Sequence, residues 1–212
     1  MQVNHKPAPI FMMSYFKSFA ALLYVVPFFC QFTTAQINFD IKNKNIAEIR
    51  SYETNLKSKP VDLWSTYINP PGIADPVVFE RPEKNVPNLW VYYFANAKDS
   101  TINNILYEWD DSNFTEDHHA TTQPTTVLMN YVNKYKELLA QVSANYGTPE
   151  TTGSIEDLSA IETGRVKRKD VFRKNGVEVE MYIVLSNNEL TNGIVTISPT
   201  HRIRLYIRPA NS

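Results

Sequence analysis

The sequence predicts an α+β domain, an antiparallel sheet of about five or six strands with one long helix, residues 125–146, packed on one face and a shorter helix nearer the N-terminus. Three observations carry that expectation. Leu128, Tyr131, Tyr135, Leu138 and Val142 recur at alternating spacings of three and four, which is one stripe of a long helix. Two runs rich in aromatic and β-branched residues, LWVYYFA (Leu89–Ala95) and INNILYEWD (Ile102–Asp110), flank a polar segment as the arms of a hairpin would. Asn175-Gly176 sits between two alternating runs, the signature of a two-residue hairpin turn.

The first 35 residues read as an address. Residues 19–29 (FAALLYVVPFF) form an 11-residue apolar run, preceded by Lys17 and followed by Thr33-Thr34-Ala35-Gln36. That is the layout of a secretory signal peptide. The run is shorter than the roughly 20 residues a membrane-spanning helix needs, and Pro27 interrupts it. Thr33 and Ala35 suit a peptidase that reads the third and first residues before its cut, so cleavage is expected between Ala35 and Gln36, leaving residues 36–212 as a single α+β domain. Met12 or Met13 would serve as the start codon as well as Met1. Cys30 stands where a lipid-modified cysteine would stand, but Phe28 and Phe29 replace the small residues that this modification needs before it.

Cleavage would remove the single cysteine, and with it any disulfide, Cys-based zinc site or iron–sulfur cluster. It would take Lys6 and Lys17 and no acid, leaving 19 basic and 22 acidic residues. Such a balance argues against a nucleic-acid binder that works through general basicity. Contact with a membrane is expected only through an uncleaved export segment.

In residues 45–57, Ile46, Ile49, Tyr52 or Glu53, and Leu56 recur at near-helical spacing until Pro60 stops the pattern, which predicts the shorter helix. Residues 61–68 place Leu63, Trp64 and Tyr67 where one helical turn would bury them. Five prolines (70, 71, 76, 82 and 87) then strip residues 69–88 of backbone donors. The stretch reads as an ordered proline-rich loop with Ile73, Val77, Val78 and Phe79 to bury, either a binding loop or a packed connector over a sheet edge. In the second hairpin strand Ile105, Tyr107 and Trp109 share one face and Leu106, Glu108 and Asp110 the other, so one face alone is expected to be fully buried.

Pro124 and Thr125 suit the start of the long helix, and Gly147 followed by Pro149 suits a left-handed cap and a stop. Ser154-Ile-Glu-Asp has the form of a capping box, suggesting a short turn. Around Asn175-Gly176 the hairpin register sets Arg173 opposite Glu178, Phe172 opposite Val179 and Val171 opposite Glu180. After Asn192-Gly193, residues 194–197 and 203–207 are expected to make a further strand pair.

Three groups carry candidate chemistry. Asp117-His118-His119, with Glu116, Asp111 and Asn113 nearby, has metal-ligand side chains, although adjacent histidines do not readily reach one ion from regular structure and the plainer reading is a polar connector between strand and helix. The run Asp111, Asn113, Thr115, Asp117 imitates a calcium loop but has neither the glycine at its sixth position nor the glutamate at its twelfth, which is Thr122. Glu178 and Glu180 share a strand face about 7 Å apart, a spacing compatible with glycoside hydrolysis, yet Arg173 and Lys169 across the hairpin would pair with them. Arg202, Arg204, Tyr206 and Arg208 line the face of the last strand opposite Ile203, Leu205 and Ile207. This cationic, partly aromatic stripe suits an acidic glycan, a lipid head group or an acidic partner surface. Neither a G-x-S-x-G elbow nor an H-E-x-x-H helix occurs.

The segment YKELLAQVSANYGTPE (residues 135–150), a helix closed by Tyr-Gly-x-Pro and followed by antiparallel runs, resembles the small secreted or periplasmic α+β proteins of unknown function common in Gram-negative bacteria. The export segment ending in Thr-Thr-Ala-Gln fits the same group. The resemblance spans roughly residues 127–207 and implies a fold and a compartment, with no particular chemistry. The resulting expectation is a non-catalytic binding or interaction domain of the periplasm, the cell envelope or the outside of the cell. It would engage an envelope component or a protein partner through an exposed sheet face or the proline-rich loop, with no cofactor. The alternative is a hydrolase of envelope or extracellular glycan using Glu108 and Asp110 beside Trp109.

Overall fold

The computed structural model describes residues 1–2, 37–42, 44–63, 68–193 and 195–210, and every element below belongs to the compact unit Ala35–Ser212. The proposed export segment with Cys30 and the Ala35–Gln36 cleavage point, and residues 64–67 of the expected single turn, lie outside the described residues.

The chain runs through α1 (Ile46–Asn55), β1 (Lys59–Val61), β2 (Val77–Arg81), β3 (Leu89–Ala95), β4 (Ile102–Asp110), a short 3-10 turn (Asp111–Phe114) and α2 (Thr125–Tyr146). It continues through β5 (Glu150–Ser154), a second 3-10 turn (Ser159–Ile161), β6 (Val166–Lys174), β7 (Val177–Ser186), β8 (Leu190–Asn192), β9 (Val195–Ile197) and β10 (Thr200–Pro209). Eight strands form one antiparallel sheet in the order β1-β2-β3-β4-β10-β7-β6-β5. The α+β class, the long helix and the antiparallel sheet are therefore as the sequence predicts, but the sheet is larger than five or six strands.

The extra strands have physical reasons. In the proline-rich stretch, Pro76 and Pro82 flank β2 without interrupting it, so its five residues keep every donor they need for pairing with β3. Pro60 is tolerated in β1 because that strand is an edge. β5 is polar and exposed throughout, which leaves no apolar alternation to read. Ser154 ends this edge strand instead of capping a helix, and its hydroxyl accepts from the Glu156 amide at 3.2 Å. Gly153 is obligatory there: its φ is +78°, and a Cβ would lie 2.2 Å from the Lys167 carbonyl oxygen. β9 also departs from expectation, pairing with β8 in a separate two-stranded ribbon and leaving β10 to join the main sheet.

Both helices add to one face of the sheet, in a single apolar cluster. α1 begins with a full capping box in which the Asn45 side chain accepts from the Ala47 and Glu48 amides and the Glu48 carboxylate accepts in turn from the Asn45 amide at 2.9 Å. α2 buries Leu128, Tyr131, Val132, Tyr135, Leu138 and Val142 against Ile203, Leu205, Ile207 and the apolar sides of β6 and β7. At about 1.5–3 kcal/mol for each large side chain removed from water, this stripe is the main force that holds the helix to the sheet.

Four buried polar groups fix the register of that packing. Glu53, the residue at the ambiguous position of the α1 pattern, is fully buried and accepts from Arg81 Nε at 3.0 Å and from the Tyr93 hydroxyl. Asp170 accepts from Tyr135 of α2 at 2.6 Å and from Arg168 Nε at 2.8 Å. Lys134 reaches Glu83 at 3.1 Å beneath the Trp109 ring. His201 lies between Asp111 Oδ2 at 2.9 Å and Asn187 Oδ1 at 3.0 Å. Asn187 is itself oriented by the Gln123 amide, which donates to its Oδ1, so β10 is tied to the entry of α2.

Candidate functional site

The face of the sheet away from the helices is built by alternation. In β10, Ile203, Leu205 and Ile207 turn to the helices, which sends Arg202, Arg204, Tyr206 and Arg208 to the other side. Register then sets Arg202 beside Asp110 and Val184, Arg204 beside Glu108 and Tyr182, and Tyr206 beside Leu106 and Glu180. β10 runs between β4 and β7, so a row of guanidinium groups is flanked by carboxylates on both sides.

The predicted cationic stripe is thus neutralised within the sheet. Arg202 pairs with Asp110 and Arg204 with Glu108, and Arg204 Nη1 also donates to the Tyr182 hydroxyl at 3.1 Å. Arg208 donates from Nε and Nη2 to Glu178 at 3.0 and 2.8 Å, and from Nη2 to Glu180 at 2.9 Å. On the next strand Arg173 meets Glu178 at 2.8 Å and Lys169 meets Glu180 at 3.4 Å, in the hairpin register the sequence predicts. Burial pushes the Glu178 carboxyl up, but Arg208 and Arg173 outweigh it and hold this group below the usual carboxylate range. Burial, chiefly, pushes the Tyr206 hydroxyl up to about 12.

β4 departs from the expectation of one buried face. Leu106, Glu108 and Asp110 are as buried as Ile105, Tyr107 and Trp109, because arginine stems from β10 and aromatic rings from β3 cover them. Glu108 Oε2 accepts from the Tyr92 hydroxyl and from Asn113 Nδ2, each at 3.0 Å, while Oε1 faces Arg204. Asp110 Oδ1 accepts from the Ser112 amide at 3.0 Å and the Ser112 hydroxyl at 2.7 Å, and its other oxygen faces Arg202. Trp109 lies on the opposite face, where its ring nitrogen points to Glu83.

Of the expected metal residues, His118 and His119 border this lattice at its Asp110–Arg202 end. Asp117, His118 and His119 are exposed, and the His119 amide donates to Asp117 Oδ1 at 3.2 Å in a turn where His118 has φ +57°. Among the described residues no three His, Cys, Asp or Glu side chains converge as a metal-ligand set. Asp117 is not among the residues around the small cleft of about 160 Å³ where His118 and His119 lie near Asp110, Ser198 and Arg202.

A larger groove of about 450 Å³ crosses the sheet face under the proline-rich connector. Ile68, Asn69, Pro70 and Ile73 supply the connector side, Phe94, Asn104 and Leu106 the floor from β3 and β4, and Arg204, Tyr206 and Arg208 the far side. Its volume is within the range of small-molecule sites. Three residues of the predicted stripe therefore share one concavity with the predicted loop, while Arg202 lies in the small cleft. Phe94, Asn104 and Leu106 are not legible as site residues in the sequence because nothing local indicates that β10 comes to rest beside β4; alternation along β3 and β4 is the one signal that puts them on this face. Ile73 is held by its bridge to Asn96, and the Ala74 amide donates to the Ala95 carbonyl at 2.9 Å, so the connector is seated on the end of β3.

No protein-family model, curated protein or solved structure matches this chain. Among the described residues no helix is long and apolar enough to cross a membrane.

Proposed function

We propose that this chain is an exported, non-catalytic binding domain that holds its ligand in the groove between the proline-rich connector and β10. The observation that carries the reading is the meeting of Ile73, Phe94, Leu106, Tyr206 and two arginines in one concavity. The state of the carboxylates supports it further. Glu108, Asp110, Glu178 and Glu180 are each engaged by arginine, tyrosine, serine or asparagine, which leaves a hydrolase without an acid poised over the groove. Export rests on the leader pattern of residues 1–35, with Gln36 as the first residue of the working protein.

Two measurements test the reading. N-terminal sequencing of the protein recovered from the envelope and the medium is expected to begin at Gln36; an intact leader on cytoplasmic protein overturns the export. Thermal-shift titration with acyl anions, glycans and short peptides is expected to find a saturable ligand that leaves chemically unchanged and that Phe94→Ala weakens about tenfold or more. Turnover of the ligand, indifference to Phe94→Ala, or no saturable ligand in the three classes overturns the binding role.

A further inference from the structure

The lining of the groove combines two chemistries. Ile73, Phe94 and Leu106 are apolar, whereas Arg208 and Asn104 offer hydrogen-bond donors, and no Asp or Glu is among the lining residues. The acids that orient the arginines lie outside it, on β7 and deeper on β4. A guanidinium group has five donors in a fixed fork, and the bonds of Arg208 to Glu178 and Glu180 use only Nε and Nη2, leaving Nη1. Arg208 follows Ile207, which pairs with Ile105, so it stands next to Asn104, and Asn104 pairs in turn with Phe94 on β3. The Asn104 amide nitrogen donates one hydrogen to Asn103 Oδ1 at 3.2 Å and has a second.

We infer, on the reading of the groove as a ligand site, that the ligand is an amphipathic carboxylate whose head group is bound by Arg208 and Asn104 and whose aliphatic body lies along Leu106, Phe94 and Ile73. From Arg208 to Phe94 is two strand spacings, about 10 Å, which an acyl chain of about eight carbons spans. A monoanion fits better than a dianion, because Glu178 and Glu180 stand directly behind Arg208 and would repel a second negative charge. The carboxylates behind Arg208 also hold its fork in place before the ligand arrives, which lowers the ordering cost of binding.

The test is calorimetric titration of the full-length protein at low salt with octanoate, octyl phosphate, 1-octanol and inorganic phosphate. Octanoate is expected to bind at one site at least about tenfold tighter than 1-octanol or inorganic phosphate, and tighter than octyl phosphate. Asn104→Asp places a carboxylate in the groove without removing an ion pair and is expected to weaken octanoate about tenfold while leaving 1-octanol unchanged. Arg208→Gln should act in the same direction, with the circular dichroism spectrum and melting temperature of each variant confirming the fold. Equal binding of 1-octanol, tighter binding of octyl phosphate, octanoate binding indifferent to Asn104→Asp, or no octanoate binding overturns the carboxylate assignment. If a glycan or peptide then binds with the expected sensitivity to Phe94→Ala, the binding reading survives alone.

Discussion

On its helix-bearing face the sheet meets a continuous apolar cluster that encloses Glu53, Lys134, Asp170 and His201 with their bonded partners, whereas on the other face charged side chains alternate strand by strand, acid on β4, base on β10, acid on β7 and base on β6. The chemistry of an ion pair is the same on both faces, but its surroundings are not. Glu53 and Asp170 are fully buried, so their partners are held in a medium that penalises any unmatched charge. Arg173 and Arg208 keep 57% and 38% of their side-chain surface in solvent, and water screens their bonds. The helix face therefore carries most of the stability and sets the register, while the ladder passes from the buried carboxylates of Glu108 and Asp110 on β4 to solvent-screened pairs on β7 and β6 and orients the groove.

The largest losses of stability are expected on the helix face. Glu53→Ala removes the buried carboxylate that accepts from Arg81 and from the Tyr93 hydroxyl, and is expected to cost about 3–5 kcal/mol in urea unfolding. Leu138→Ala opens a cavity in the α2 stripe at a site with no exposure, for about 2–5 kcal/mol. If either variant unfolds within about 1 kcal/mol of the parent, the helix face is not the source of stability.

Acid titration distinguishes the faces next. Burial raises the Asp170 carboxyl, but bonds from Arg168, Thr151 and Tyr135 outweigh it and hold the group below its ordinary value. A depressed carboxylate contributes stability that is fully present above its unfolded value, near pH 4, and that disappears as pH falls through the lower folded value. The parent is therefore expected to lose stability as pH drops below about 4. Asp170→Asn should be less stable at neutral pH and should lose part of that acid dependence, as read from urea midpoints on both sides of that pH. An acid limb identical in parent and Asp170→Asn would remove Asp170 from the account.

The same contrast explains what the sequence makes legible. α2 stands out because six residues of one stripe are buried together, and its end is marked by Gly147, whose φ is +91°. The register around Asn175-Gly176 is also local, and with it the Arg173–Glu178 and Lys169–Glu180 pairs. Pairing across the sheet is not local: Arg204 and Glu108 are 96 residues apart, and only the insertion of β10 between β4 and β7 brings them together. Alternation could place Arg204, Tyr206 and Arg208 on one face without revealing the carboxylates that neutralise them or the Phe94, Asn104 and Leu106 floor beside them. β5 was invisible for the opposite reason, since a strand exposed along its whole length has no buried side to announce it.

The smallest expected effect is the sharpest test of the ladder. Arg173 bonds to Glu178 at 2.8 Å and to Glu150 at 3.3 Å, and Glu150 is itself 75% exposed on the edge strand. Arg173→Gln leaves Glu178 with Arg208 and returns Glu150 to solvent, so no buried carboxylate is stranded. The expected loss is under about 1 kcal/mol and should shrink further in salt, because the pair lies within reach of screening ions. Unfolding by urea with and without added salt measures both. A loss above about 2 kcal/mol, or one that salt leaves untouched, would mean that the ladder acts as a buried network and carries stability of its own.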